Sequence, residues 1–123
     1  MIVRVLAVTL VLLALLIVAL DAFAARRGNR QLWGAIAYNS KLGTYGYAID
    51  RKTKRDAESD AFTTCGSGCD FIKTFRDACG VVAAGGKKVT WETGASQEIA
   101  ETKALKKCGD SCAVKVWACT SEK

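Results

Sequence analysis

Six cysteines carry the strongest chemical signal in this chain: Cys65, Cys69, Cys79, Cys108, Cys112 and Cys119. No histidine accompanies them. That removes Ser-His-Asp triads, Cys-His nucleophiles, His-ligated zinc and haem on a proximal His. Two Cys-x-x-x-Cys pairs lie within zinc-binding spacing, so a metal site is one reading. The other is a disulfide framework, the usual meaning of an even cysteine count in a short exported chain. The lack of His and the export signal described below favour disulfides, with no metal and no cofactor. A thioredoxin-like redox site needs Cys-x-x-Cys, and none is present.

The other chemistry-bearing residues are weaker signals. Glu58 and Glu101 stand at matched places in two similar segments. A carboxylate pair cleaving a glycosidic bond needs them ~5–9.5 Å apart across a cleft. The competing reading is two helix glutamates facing solvent and supporting nearby lysines such as Lys106 or Lys107. Serines and threonines have no histidine and no Ser-x-x-Lys motif to activate them. Neither G-x-G-x-x-G nor a P-loop occurs. No catalytic residue is therefore assigned.

Aromatic side chains suggest a binding face instead. Trp33, Tyr38, Tyr45 and Tyr47 crowd one stretch, with Tyr45, Tyr47 and Ile49 sharing a face by period two. Such a stripe takes a glycan or a peptide, or else it is core and cross-strand packing. Trp91 and Trp117 lie on later strands. Basic residues outnumber acidic ones, 18 to 12, for a net charge of +6. Lys52, Lys54 and Arg55 open one helix; Lys103, Lys106 and Lys107 close another; Lys87 and Lys88 mark a hairpin. Charge of this sign attracts anionic surfaces. No nucleic-acid motif is present. The expected partner is a protein or an anionic envelope polymer. Oligomeric state is left open.

The elements that position these residues follow from periodicity. Half of the chain is apolar and 24% charged, which excludes a disordered polymer. Met1–Arg4 is a short basic start, Val5–Leu20 is apolar apart from Thr9, and Ala22-Phe23-Ala24 is an A-x-A cleavage site. This is the layout of a secretory signal over 1–24. The apolar run is shorter than the ~20 residues of a membrane helix. An uncleaved anchor is the rival reading, since Arg26, Arg27 and Arg30 follow the run. Disulfides argue for export to the periplasm or beyond. Residues 25–32 then form a basic tail.

The remainder repeats itself. Ala57, Glu58, Ala61, Phe62, Cys65, Gly66 and Cys69 recur as Ala100, Glu101, Ala104, Leu105, Cys108, Gly109 and Cys112. Each copy passes from alternating strands to a 3.6-residue period and back. Thr53 and Ser96 are predicted helix N-caps, with Asp56 placed for a capping box. Ala57, Ala61, Phe62 and Cys65 are predicted to form a single buried stripe. Predicted strands cover 34–38, 45–49, 70–75, 80–84, 89–93 and 113–118, with a turn at Gly85-Gly86. The fold class is α+β: two pseudo-symmetric ββαβ repeats, 33–79 and 80–120, in one disulfide-linked domain.

That symmetry prunes the cysteine pairings. Cys79 and Cys119 are each the third cysteine of a copy, so Cys79–Cys119 is self-symmetric and expected to join the two halves. The other four pair within copies or across them. Local bonds Cys65–Cys69 and Cys108–Cys112 are favoured, because Gly66, Gly68 and Gly109 permit tight turns. Phe75 and Trp117 are expected to pack on the Cys79–Cys119 bond.

Several segments carry a family resemblance: Trp33-Gly34-Ala35-Ile36-Ala37-Tyr38, Gly46-Tyr47-Ala48, Cys65-Gly66 with Cys69, Ala78-Cys79-Gly80, and Val116-Trp117-Ala118-Cys119. Together they resemble a bacterial exported family known as domain of unknown function 4189, over roughly 33–120. Thr93-Gly94-Ala95 departs from a stretch often richer in Trp and Gly, which touches one loop. The resemblance implies a bacterial exported domain and brings no catalytic residues. The function expected is a non-enzymatic binding module of the envelope or secretome; the alternative is an envelope hydrolase using carboxylates without His. A cationic membrane-active factor ranks last, because its helices are short and alanine-rich.

The export reading makes a direct prediction. The mature protein begins at Ala25, and N-terminal sequencing of the exported form checks it. Intact Met1 on a membrane-embedded form would overturn it.

Overall fold

The computed structural model describes residues 2–12 and 31–121. Residues 2–12 are helical (α1) and form a unit separate from residues 31–121. The expected cleavage site and most of the basic tail lie outside the described residues. Among the described residues no helix is long and apolar enough to cross a membrane.

The second unit runs β1 (Trp33–Tyr38), β2 (Tyr45–Arg51), α2 (Lys54–Cys65), β3 (Phe71–Arg76), β4 (Cys79–Gly85), β5 (Lys88–Gly94), α3 (Gln97–Cys108) and β6 (Ala113–Cys119). Two antiparallel three-stranded sheets result, ordered β2-β1-β3 and β5-β4-β6. The chain is α+β, and strand order is the same in both sheets.

Both helices start and stop for local reasons. The Thr53 hydroxyl accepts from the Asp56 amide at 3.1 Å, and Ser96 from the Ile99 amide at 3.3 Å. At the other end Gly66 and Gly109 adopt φ of 89° and 102° and donate back to Phe62 and Leu105. Few side chains tolerate that backbone region, so glycine ends each helix there. Cys65–Cys69 and Cys108–Cys112 then lock the exits covalently.

Each helix buries an alanine face. Ala57 and Ala61 pack on Ala35, Ala37 and Ala48; Ala100 and Ala104 pack on Val81 and Ala83. Phe62 does not join the predicted stripe and is 45% exposed. Its position is rotated well off the line through Ala57 and Ala61, and an all-small face lets the helix lie closer to the sheet. Leu105, at the matching place, does pack against its cluster.

The other sheet faces meet each other. Ile36, Tyr38, Phe75, Val82, Val116 and Ala118 form the core between the sheets. Ile36 and Val82 are fully buried, each stabilising by roughly 1.5–3 kcal/mol. Phe75 lies at the centre. A Cβ on Gly34 would run into its ring, and one on Gly80 would lie 2.7 Å from it. Trp91 meets the same ring at 5.9 Å between centroids. The sequence-based placement of Phe75 on a disulfide is therefore corrected. Alternation turns Phe75 towards the opposite sheet, while Cys79 faces α3.

Cys79 is bonded to Cys119, but the bond does not join the two halves. Cys79 opens β4, directly across from Cys119 at the end of β6. Both belong to the second sheet. At the equivalent ladder position of the first sheet Trp33 faces Arg76, whose guanidinium lies 5.5 Å from the indole ring. A cation–π pair stands there in place of a covalent bond. Beyond each pair the ladder closes alike. Asp77 N–H donates to Leu32 O while Leu32 N–H donates to the Asp77 carboxylate. Thr120 N–H donates to Ala78 O while Ala78 N–H donates to the Thr120 hydroxyl.

The hairpins differ. Residues 39–44 form the six-residue loop expected, built on buried Asn39, whose side-chain oxygen accepts from the Lys41 and Leu42 amides. The second turn is Gly86-Lys87, since Gly85 still pairs with Lys88.

The covalent frame sets a stability order. Replacing Cys79 and Cys119 together by Ala costs roughly 4 kcal/mol by loop-closure entropy, and each short Cys-x-x-x-Cys loop about 2 kcal/mol. Urea unfolding of the two double variants checks it: Cys79→Ala/Cys119→Ala has the lower midpoint, Cys65→Ala/Cys69→Ala the higher.

Candidate functional site

Helices cover the outer faces of both sheets, which leaves the seams where strand edges meet, and the ends of the sheets, accessible. The two seams are unequal. At one, Phe75 of β3 fills the space against Trp91 of β5. At the other, the equivalent ladder positions hold Ala118 of β6 and Tyr47 of β2: Gly34 pairs with Phe75 as Gly80 pairs with Ala118, and Val82 pairs with Trp91 as Ile36 pairs with Tyr47. A methyl where the other seam has a benzyl leaves an open groove of about 410 Å³.

Tyr45, Tyr47 and Ile49 line one side of this groove, and the β6 segment from Lys115 to Cys119 lines the other. Val116 and Ala118 are buried and form its base. Tyr45 and Tyr47 are each 49% exposed and Trp117 47%. Tyr45 and Tyr47 therefore stand half in solvent on one wall, while Trp117, paired with Val81, turns to the α3 side of β6 and leaves the strand edge as the other wall.

One end of the groove is tied shut. The Asp50 carboxylate accepts from the Ser121 amide at 2.7 Å and from the Ser121 hydroxyl. Asp50 reaches Ser121 from a left-handed backbone position, φ 58°, which Asp tolerates better than most residues. It lies where β2 carries one extra residue between its pairings with Trp33 and Ala35. The other end, at Lys115, opens onto the hairpin turns.

The structure divides the predicted binding face. Tyr45 and Tyr47 are together on the groove. Tyr38 is 4% exposed and belongs to the inter-sheet core. Trp33 is on the opposite face of β1, packed against the α2 cluster. The missing partner was the β6 edge with Val116 and Ala118, which no local pattern connects with β2. Asp50 was missed too; its only sequence signal is an acidic residue closing an alternating strand.

The carboxylate pair is not a pair. Glu58 is on α2 and Glu101 on α3, and both sheets lie between these helices. Glu58 pairs with Lys54 at 3.9 Å, and Glu101 accepts from Gln97 at 2.8 Å. Lys107 goes to Glu92 at 3.4 Å rather than to Glu101. A wider depression of about 600 Å³ lies over Cys79, Cys119 and the start of α3, where Asp77 and Thr120 are engaged in closing their ladders. Among the described residues no three His, Cys, Asp or Glu side chains gather as a metal site.

Asp70 has a lowered affinity for protons. Asp70 accepts from the Ser40 hydroxyl and, at 2.9 Å, from the Ser40 amide, and these bonds hold it below the usual carboxylate range. The clasp fastens the 39–44 loop beside the seam. Its contribution is present above the ordinary Asp value and fades as pH falls through the lowered one.

Comparison with known proteins places the chain. Residues 33–119 match the family described as a domain of unknown function, DUF4189. The chain belongs to the DUF4189 family. Similar DUF4189-like sequences include protein Rv1269c of Mycobacterium tuberculosis and protein Mb1300c of Mycobacterium bovis. Each is 36% identical over 89 residues, covering 72% of this chain and 69% of its own. The NMR structure of Rv1813c from Mycobacterium tuberculosis superposes with a TM-score of 0.60 at 34% identity, over 72% of this chain and 74% of that one. The resemblance read from the sequence is thus established as family membership.

The separation of the two glutamates yields a prediction. Glu58→Gln leaves the melting temperature and any binding of this domain unchanged, since only an exposed ion pair of small worth is lost. Thermal unfolding and a binding titration on the same sample check it.

Proposed function

We propose that this DUF4189 domain is an exported, non-enzymatic binding module that takes its ligand in the groove between β2 and β6. The observation that carries this reading is the pair of half-exposed rings, Tyr45 and Tyr47, side by side on one wall of a groove whose other wall is the edge of β6. Aromatic rings anchored on strands lose little freedom on binding and supply most of the energy where they occur in interfaces. Three disulfides and the absence of free cysteines among the described residues suit an oxidising compartment outside the cytosol. The signal-like first segment supports the same compartment. A rigid frame also keeps the groove formed before the ligand arrives.

The two ββαβ halves are, on this reading, copies of one unit. Support comes from identical strand order, matched helix caps and matched ladder closures at Asp77 and Thr120. The binding groove then exists at one seam because one copy carries Ala118 where the other carries Phe75. Duplication supplied two seams; a single small residue left one of them open.

Affinity capture tests the proposal. The oxidised mature protein retains a ligand from envelope extracts, and Tyr45→Ala/Tyr47→Ala loses at least about tenfold of that retention with an unchanged melting curve. Ala118→Phe, which fills the groove from its base, does the same. Retention unaffected by both variants would overturn the reading, and hydrolysis abolished by Glu58→Gln would favour the enzyme.

A further inference from the structure

The open end of the aromatic groove meets a cluster of positive charge. The loop 39–44 and the Gly86-Lys87 turn lie at the same end of the two sheets and border a cleft of about 550 Å³. Lys41, Lys87, Lys88 and Lys115 line it, and no Asp or Glu is among its lining residues. Lys41 has Asp70 as an electrostatic neighbour. Lys87, Lys88 and Lys115 have no ion-pair partner among the described residues, whose ion pairs are Arg51–Asp60, Lys54–Glu58 and Lys107–Glu92. Like charges held around one cleft repel each other, and a ligand carrying several anionic groups relieves that repulsion and releases counterions.

Lys115 belongs to both the cleft and the groove. Its place is made by an irregularity in β6: Val82 pairs with Val116, but Ala83 pairs with Val114, so Lys115 is the unpaired extra residue of a bulge. Bulges re-aim side chains at sheet edges. The two features therefore form one path, closed at the Asp50–Ser121 clasp and entered over the lysines.

We propose that this path binds an anionic polysaccharide. Sugar rings lie against Tyr45 and Tyr47, and carboxylate or phosphate groups along the same chain meet the lysines. The proposal rests on the groove being the binding site and adds the chemical class of its ligand. A polymer is required because the charges are spread across two turns and a strand. Lysine is a point charge without the planar fork of arginine, so the cleft selects for charge rather than for one anion's geometry. A disulfide-framed protein works outside the cytosol, and flat rings beside a row of lysines suit a chain that carries sugar faces and anionic groups together.

Calorimetric titration of the oxidised protein tests this with five probes: alginate, a phosphodiester-linked teichoic acid, neutral dextran, poly-glutamate and an oligothymidylate. At least one of the two anionic glycans binds ten times or more tighter than dextran, poly-glutamate and the oligonucleotide. That binding weakens as salt is raised. Lys87→Gln/Lys88→Gln and Lys115→Gln each reduce it, the double variant by tenfold or more, and Tyr47→Ala reduces it at low and high salt alike. Equal affinity for dextran, tighter binding of poly-glutamate or the oligonucleotide, or lysine variants that bind as the wild type does, would each overturn the ligand class. If the glycans fail while Tyr45→Ala/Tyr47→Ala still abolishes retention from envelope extracts, the groove stands and only its assigned ligand falls.

Discussion

The ring of Phe75 between Gly34 and Gly80 sets the geometry of everything around it. Two sheets of three strands can close on each other only if the residues at their centre fill the gap without forcing it wider. Two glycines at equivalent ladder positions make a slot, and one phenyl ring fills it. A methyl group on either glycine would push the ring or the opposing sheet away. Ile36, Val82 and Val116 pack around this contact, so the spacing it fixes is passed to both sheets.

That spacing decides what happens at the seams. Where Phe75 meets Trp91 the edge is filled with aromatic surface. At the equivalent place Ala118 leaves Tyr47 without a partner of comparable size, and the ring stands half in water. Exposing Tyr45 and Tyr47 costs hydration free energy that a folded domain does not ordinarily give up without return. The strands that carry them are held firmly: Asp50 clasps Ser121 at one end, and Asn39 and Asp70 order the loop at the other. The groove is a built feature with rigid walls.

The covalent frame supports the periphery rather than the centre. Two short disulfides secure helix exits whose glycines would otherwise leave the chain free to wander, and the third staples the outermost rung of one sheet. The first sheet manages the same rung with Arg76 over Trp33. A small domain buries a limited share of its surface, and cross-links offset part of the entropy its core cannot. Alanine faces on both helices act in the same direction, bringing helix and sheet backbones close at little side-chain entropy cost.

What could be read along the chain was whatever depends on near neighbours. Thr53, Ser96, Gly66 and Gly109 bound the helices through bonds three or four residues long, and alternation marked the strands. The local pairs Cys65–Cys69 and Cys108–Cys112 follow from a turn between them, and the family motifs lie in the same short segments. Only the tertiary structure decided which strand faces became interior. Tyr38 and Tyr45 are cross-strand neighbours, yet one is core and the other groove, because β1 is central in its sheet and β2 is at the edge. Cys79 proved to open a strand of the second sheet rather than to end the first half, so its bond staples one sheet. The edge of β6 came to lie beside Tyr47, and Lys115 beside the hairpin turns, through packing between segments far apart in sequence. Periodicity tells which residues share a face of one element; which element covers that face is settled by the packing of the two sheets, and there the open groove was decided.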